Sequence, residues 1–574
     1  MTTLRTAKRF VFPLLGLWVL LFASFSLFKP PLLDGADALS AEIGREMITA
    51  GHWLTPFANG IRYPHQPPLL YWTVAVSFGI FEVSDWAARL PVALAAMCLF
   101  IATFSLARRI FHSPAAAFYA ALTLITSYGV FLFSHLLLRD VFLCLWTTLA
   151  LNFFWRSLTQ QKRLLESSLG FAACCALGVL TQGLAGLVLP IVIAVVYLLA
   201  THRISHFLRW HPIPAILVFL ALYLPWHIAA RHSLRQQDLA NLMPPLTGGR
   251  VSLPVFWLLP LVLIFPWCVY SIRALRIGNS PNPELRGDAR LFCCIWIVTV
   301  LVFFSCIARR EFNLLTALPP MAILAGGWLA EDEEQPHHQG RIVAWILFFV
   351  GLALAAGIAW LLAVPLPPPG TDVATLLRPG ASHHIVFLGY YADLTRPAMG
   401  LFKVPLWIAL VTLLTGVSAC LIYRLRDNAR MANCFLAGMI VSLLIAAHLA
   451  LNTFSPVVSS AILAEAIKPE VRPADSIVVN GPFDNASSFA FYLERQVLIL
   501  NQSPASLAPS AQLANPSVYI DTAALAALWT GPNRVWLWTT PQTLPTLPGD
   551  VYVIGRSGCK EILSNQPNTG GASF

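Results

Sequence analysis

Apolar runs of about 20 residues, the length that crosses a hydrocarbon core of about 30 Å, recur from Phe10 to Leu451 and are broken by polar loops. They predict about thirteen transmembrane helices, at 10–28, 88–107, 115–136, 141–158, 168–182, 184–200, 213–230, 251–272, 289–307, 313–330, 342–363, 404–423 and 432–451. Outside a closed barrel only helices make such crossings, because each backbone N–H and C=O must find its partner within the segment. After Leu451 the pattern changes. β-Branched runs at 476–479, 496–500, 518–520, 535–538 and 551–554 alternate with Pro, Asn, Gly and Asp, with a helical stretch at 487–493 between the first two. That is strand-and-turn patterning. The expected architecture is a mainly α membrane protein, residues 1–451, followed by a small C-terminal α/β soluble domain, residues 452–574.

Composition agrees: 57% of the residues are hydrophobic and only 11% charged, too few to clothe a soluble globule of 574 residues. The net charge of +10 raises the question of nucleic acid. Its basic residues are scattered among short loops, however, and form no patch interleaved with aromatics, so no nucleic-acid partner is expected. Instead they mark alternate loops, among them Arg108/Arg109, Arg156/Lys162/Arg163, Arg203/Arg209 and Arg424/Arg426/Arg430. The positive-inside rule makes those loops and the N-terminus cytoplasmic and turns the C-terminal domain outward. Arg5, Lys8 and Arg9 before Phe10–Phe28 resemble a signal peptide, but the length of the run and the lack of a small-residue cleavage site favour an uncleaved first span. The 11 cysteines show no C-x-x-C pair or zinc spacing and read as small buried hydrophobes.

Two outward loops hold the candidate chemistry. The first carries a helical stretch at 32–47, opened by Asp34 and Asp37, then a break at Gly51-His52-Trp53-Leu54-Thr55-Pro56 and a second amphipathic piece from Tyr63 to Trp72. Two amphipathic helices lying on the membrane surface are expected there, against the simpler reading of a solvated linker whose acids cap a helix. The second is the corner Arg139-Asp140. An acid at the start of an apolar span costs free energy unless it is paired or faces a polar cavity, so Asp140 is a functional candidate; the bland alternative is an interfacial ion pair with Arg139.

The loop residues Ala41-Glu42-Ile43-Gly44-Arg45-Glu46-Met47, Gly51-His52-Trp53-Leu54-Thr55-Pro56, Pro67-Pro68-Leu69-Leu70-Tyr71-Trp72 and Ala87-Ala88-Arg89-Leu90-Pro91 resemble the first extracytoplasmic loop of one family. It is the superfamily of protein O-mannosyltransferases and lipid A aminoarabinose transferases, which are C-type membrane glycosyltransferases. Leu180-Thr181-Gln182-Gly183, Leu224-Pro225-Trp226 and the stretch from Arg309 to Pro319-Pro320 extend the likeness over most of residues 10–450.

The resemblance implies an inverting transfer of a sugar from a polyprenyl-phosphate donor to a lipid, glycan or protein acceptor, in a bacterial inner membrane with the active side in the periplasm. Asp140 falls on the family's second acid. The family's Asp-Glu pair falls on Ala36 and Asp37, so Asp37 or the nearby Asp34 is left to supply the other carboxylate. Family cations fall on Leu39, Gln66 and Gln182; Arg309 or Arg310 falls near a basic residue of the family's later loop, and Arg62, Arg139, Arg231 and Arg250 are the other outward cations available as replacements. Donor-binding candidates are thus Arg62, His65, Gln66, Arg139, Gln182, Arg309 and Arg310. No cofactor is required; His65 occupies a place that in some relatives helps to bind a divalent metal, although a lone loop histidine is more often solvated. The competing readings are a catalytically silent relative that binds polyprenyl lipids or scaffolds envelope assembly, and a transporter, which the structured first loop and the lack of mid-span charges disfavour.

Overall fold

The structure is a computed structural model that describes residues 12–63, 67–208, 210–233, 251–275, 283–307, 309–334, 338–368, 370–377, 393–500 and 518–568. Among them nine helices are long and apolar enough to cross a membrane, and eleven when two bent pairs each count as one span. The pairs are Pro114–Ile125 with Tyr128–Ser134, bent by 53°, and Leu253–Leu263 with Cys268–Ala274, bent by 101°. The expected spans at 10–28 and 184–200 fall on the shorter apolar helices Phe12–Ser24 and Ala185–Ala200. The count of thirteen therefore includes two helices shorter than a full crossing. The chain is a multi-pass membrane protein with a small sheet near its C-terminus.

The first loop is built differently from two surface helices. Helix α1 (Ala36–Thr49) is buried along most of its length, against helix α2 (Leu69–Phe81) on one side and the helix Ser487–Leu493 of the C-terminal domain on the other. Its approach to α2 is close: a Cβ at Gly44 would lie 2.6 Å from Val74 Cγ1, so a larger residue would push the helices apart. Helix α2 begins only at Leu69 and is apolar but for Thr73 and Ser77, while residues 64–66 of the expected second piece lie outside the described residues. Between the two, a short hairpin of β1 (Phe57–Ala58) and β2 (Ile61–Arg62) turns through Asn59 and Gly60, both at positive φ.

Three long helices follow in the chain and pack together: α3 (Asp85–Phe111), α4 (Arg139–Thr159) and α5 (Leu164–Gln182). The bend before α4 is stabilised locally. Ser127 caps Val130 N–H, and Thr126 Oγ1 accepts a bond from buried Trp267 Nε1 at 2.9 Å. The chain then extends through Leu138 and re-enters helix at Arg139, which sets Arg139 and Asp140 in the first turn of α4.

The last long helix continues to Val458. Beyond it lies a six-stranded sheet, in the order β5-β4-β3-β6-β8-β7, made of β3 (Ser476–Asn480), β4 (Leu498–Leu500), β5 (Tyr519–Ile520), β6 (Val535–Thr539), β7 (Tyr552–Ser557) and β8 (Lys560–Ser564). β3 to β6 pair in parallel, and the β7–β8 hairpin adds an antiparallel edge. The five expected strands and the helix 487–493 are present; β8 is the addition. Its turn, Gly558-Cys559, has φ of +64° and +63°, the backbone that a tight two-residue hairpin requires.

This domain docks on the first loop through buried polar contacts. Asn59 pairs with Val497 through both side-chain atoms, at 2.9 and 2.8 Å, as a strand partner would. Tyr492 Oη accepts from Leu32 N–H and donates to Asp85, each at 2.8 Å.

Candidate active site around Asp140

Asp140 is 3% exposed. A carboxylate in the first turn of a helix meets the favourable end of the backbone dipole. Its Oδ1 accepts a hydrogen bond from Gln182 Nε2 at 3.1 Å. Gln182 is the last residue of α5, and the turn that ends the helix there depends on Gly183 at φ +62°. The amide oxygen of Gln182 is buried and, among the described residues, has no hydrogen-bond partner.

Two cations complete the group. Arg139 precedes Asp140, and Arg310 stands at the start of the 3-10 stretch Glu311–Ala317, which packs against α4; the charges of both act on the Asp140 carboxylate. Burial lowers the pKa of the Arg310 guanidinium, with Asp140 pulling it back and Arg139 pushing it further down. The buried Glu311 follows directly. Gln182, Arg139 and Arg310, three of the predicted donor residues, are thus brought to Asp140.

Asp34 and Asp37 lie in the same loop but have structural partners. Asp37 is 2% exposed; its Oδ1 accepts from Leu137 N–H at 3.0 Å, and its Oδ2 accepts from Leu33 N–H at 3.0 Å and Arg89 Nη2 at 3.1 Å. Arg89 also donates to the carbonyls of Pro30 and Pro31. Because Leu137 lies three residues before Asp140, Asp37 ties α1 to the segment that aims Asp140. Asp34 faces the C-terminal domain: it accepts from Lys560 Nζ at 2.7 Å, Ser488 N–H at 2.8 Å, Ser488 Oγ at 2.5 Å and Ser460 Oγ at 3.1 Å.

The other candidates are dispersed. Arg309 donates from Nε to the Val251 carbonyl at 2.9 Å and accepts from Val251 N–H on its own carbonyl at 3.0 Å, fastening two loop ends. Arg62 sits in β2, on the hairpin that docks the C-terminal domain. His65, Gln66, Arg250 and the side chain of Arg231 lie outside the described residues. Among the described residues no three His, Cys, Asp or Glu side chains are grouped as a metal set would be.

Residues not singled out from the sequence prove central to the geometry. Arg89 is the ion-pair partner of Asp37, and a lone arginine just inside a span is the signal that marks it. Lys560 gave none, because only the fold brings it to Asp34. Within α1, Glu46 accepts from Gly60 N–H at 3.2 Å; burial, helped by Glu42, pushes its pKa up to about 7.

A buried acid flanked by cations thus stands at the end of a long apolar helix in a multi-pass membrane protein. The profile of the dolichyl-phosphate-mannose-protein mannosyltransferase family matches residues 65–228. The arabinosyl transferase of Aeromonas salmonicida named for undecaprenyl phosphate-α-4-amino-4-deoxy-L-arabinose is 29% identical over 61% of this chain and 66% of its own length. The protein of that name in Edwardsiella ictaluri is 28% identical over 56% of this chain and 60% of its own. The matched stretches thus span less than two thirds of these relatives. The crystal structure of ArnT from Cupriavidus metallidurans bound to undecaprenyl phosphate superposes over 99% of both chains with a TM-score of 0.78 at 22% identity, and its apo form with 0.75. The chain is thus similar in sequence to polyprenyl-phosphate-dependent sugar transferases and shares the fold of ArnT.

Proposed function

We propose that this protein is an inverting glycosyltransferase that moves a sugar from a polyprenyl-phosphate donor to a lipid, glycan or protein acceptor at the outer face of a bacterial inner membrane. The observation that carries the proposal is Asp140, a carboxylate buried where a membrane helix begins, bonded to Gln182 and faced by Arg139 and Arg310. Burying an acid there is costly and is characteristic of a working site. The relatives' names and the undecaprenyl phosphate in the Cupriavidus structure support the class of donor.

In the reaction, the bond from the sugar's anomeric carbon to the donor phosphate oxygen breaks, and a bond from the acceptor oxygen forms on the opposite face. Arg139 and Arg310 hold the charge of the departing polyprenyl phosphate. A hydroxyl acceptor gives its proton to Asp140; a phosphate acceptor is already anionic and needs only to be held in line. Asp37 positions the segment before Arg139, and Asp34 fastens the C-terminal domain over the loop. The alternation of basic loops supports an outward-facing C-terminal domain, on the side of Asp140.

A second reading, a catalytically silent lipid-binding relative, is favoured by one observation: Asp34 and Asp37, the two acids expected to work with Asp140, are both engaged in structural bonds. Incubating the purified protein in lipid with a pool of labelled polyprenyl-phosphate sugars and membrane acceptors separates the two. Transfer of label supports the enzyme; retained donor without transfer, from a pool that a known relative can use, supports the silent protein.

A further inference from the structure

At the end of α4 away from Asp140, a cavity of about 660 Å³ is lined by Arg109, Arg156, Thr159, Gln160, Lys162 and Arg163. Arg156 lies 16 residues along the helix from Asp140, about 24 Å at the usual rise, so the cavity is separate from the site above. Basic residues are expected at this end of the bundle as topology signals. A topology signal does not need to converge on a cavity, however, and these do.

The side chains come from different elements: Arg109 from the last turn of α3, Arg156 from the last turn of α4, and Lys162 and Arg163 from the 3-10 turn Gln161–Arg163 that joins α4 to α5. Arg156 and Arg163 are near enough for their charges to act on Arg109. Glu166 offsets part of this charge, bonding Arg156 and lying 3.8 Å from Arg163. Neither Lys162 nor Arg109 has an acidic partner among the described residues. The Nε atoms of Arg109 and Arg156 are buried and, among the described residues, have no hydrogen-bond partner. A cavity lined by four cations, with one carboxylate to offset them, is completed by an anion with several acceptor oxygens.

We propose that this cavity binds the phosphate of an anionic phospholipid headgroup. The lining residues terminate two membrane-spanning helices and so lie at headgroup depth, where anionic lipid is concentrated and basic pockets between helices capture it. Leu165, next to the 3-10 turn, is 46% exposed and offers apolar surface for the glycerol and upper acyl region. The proposal is independent of the transferase reading, because it concerns the other end of the bundle.

The test is the thermal unfolding midpoint of the purified full-length protein in neutral detergent, titrated with phosphatidylglycerol, with phosphatidylcholine and with inorganic phosphate. A ligand that binds the folded state raises the midpoint by an amount that grows as the logarithm of one plus the ratio of free ligand concentration to Kd. The variant is Lys162→Gln with Arg163→Gln; both side chains are exposed, so the fold without lipid is unchanged. Phosphatidylglycerol should stabilise the wild type while phosphatidylcholine does not, and the variant should need roughly 10–30-fold more of it, at about a tenfold effect or less per charge. Equal responses of wild type and variant, or no response to phosphatidylglycerol, would overturn the proposal. So would inorganic phosphate giving the full effect, which would make the ligand a soluble anion.

Discussion

Gln182 donates to Asp140 at 3.1 Å across the ends of two helices, and this is the position where the family's motif has lysine. A neutral amide orients the carboxylate without neutralising it, which leaves Arg139 and Arg310 as the cations that act on it. Gln182→Ala should lower transfer about tenfold, the loss expected for one hydrogen bond to a charged group. Gln182→Lys restores a cation beside Asp140 and should lower the KM for donor; steady-state kinetics on the two variants measure both effects.

The Asp37–Arg89 pair is buried on both sides, at 1% side-chain exposure each. Removing one member leaves the other charged and unpaired in the interior, which costs about 3–5 kcal/mol. Arg89→Ala should therefore lower the thermal midpoint of the whole protein, and transfer should fall only as far as the folded fraction does. A kcat that drops a thousandfold in folded Arg89→Ala protein would instead give this pair a part in the chemistry.

Asp34 and Lys560 hold two parts of the chain together over 526 residues of sequence. Lys560→Ala leaves Asp34 with its serine partners but without its counter-charge. Hydrogen exchange should rise in 476–500 and in α1 while the membrane helices stay protected. Unchanged protection in both segments would show that the remaining contacts fasten the domain without this pair.

Stability should also depend on pH through Glu46. Its carboxyl titrates at about 7 in the fold and near 4.5 in the unfolded chain, so the folded state binds the proton more tightly. That contribution is fully present below about pH 4.5 and is lost as pH rises through about 7. Between pH 6 and 8 the wild type should lose on the order of 1–2 kcal/mol, allowing for solvent screening. Glu46→Gln should lose less over the same interval, and thermal unfolding at both pH values compares them.

The membrane bundle was legible because a span must be apolar for its whole length, and that requirement is written locally. The helix 487–493 and five of the strands were legible for a similar reason, since their turns carry Pro, Asn and Gly. Strand β8 was missed: Lys560-Glu561-Ile562-Leu563-Ser564 lacks the β-branched alternation, and its position is fixed by a two-residue turn that only the backbone reveals. At the site, Asp140, Arg139, Gln182 and Arg310 were readable from an unusual acid and a family motif. The partners of Asp34 and Asp37 were not, because Lys560 and Arg89 reach them only through tertiary packing, which no local pattern encodes.

Whether Asp140 carries the chemistry is decided by single-turnover transfer of a labelled sugar from polyprenyl phosphate by wild type and Asp140→Asn in the same lipid. The substitution removes a charge and almost no volume, so folding and donor binding should persist. The account predicts transfer by the wild type and its loss, by about a hundredfold or more, in the variant. Equal transfer by both proteins would contradict it.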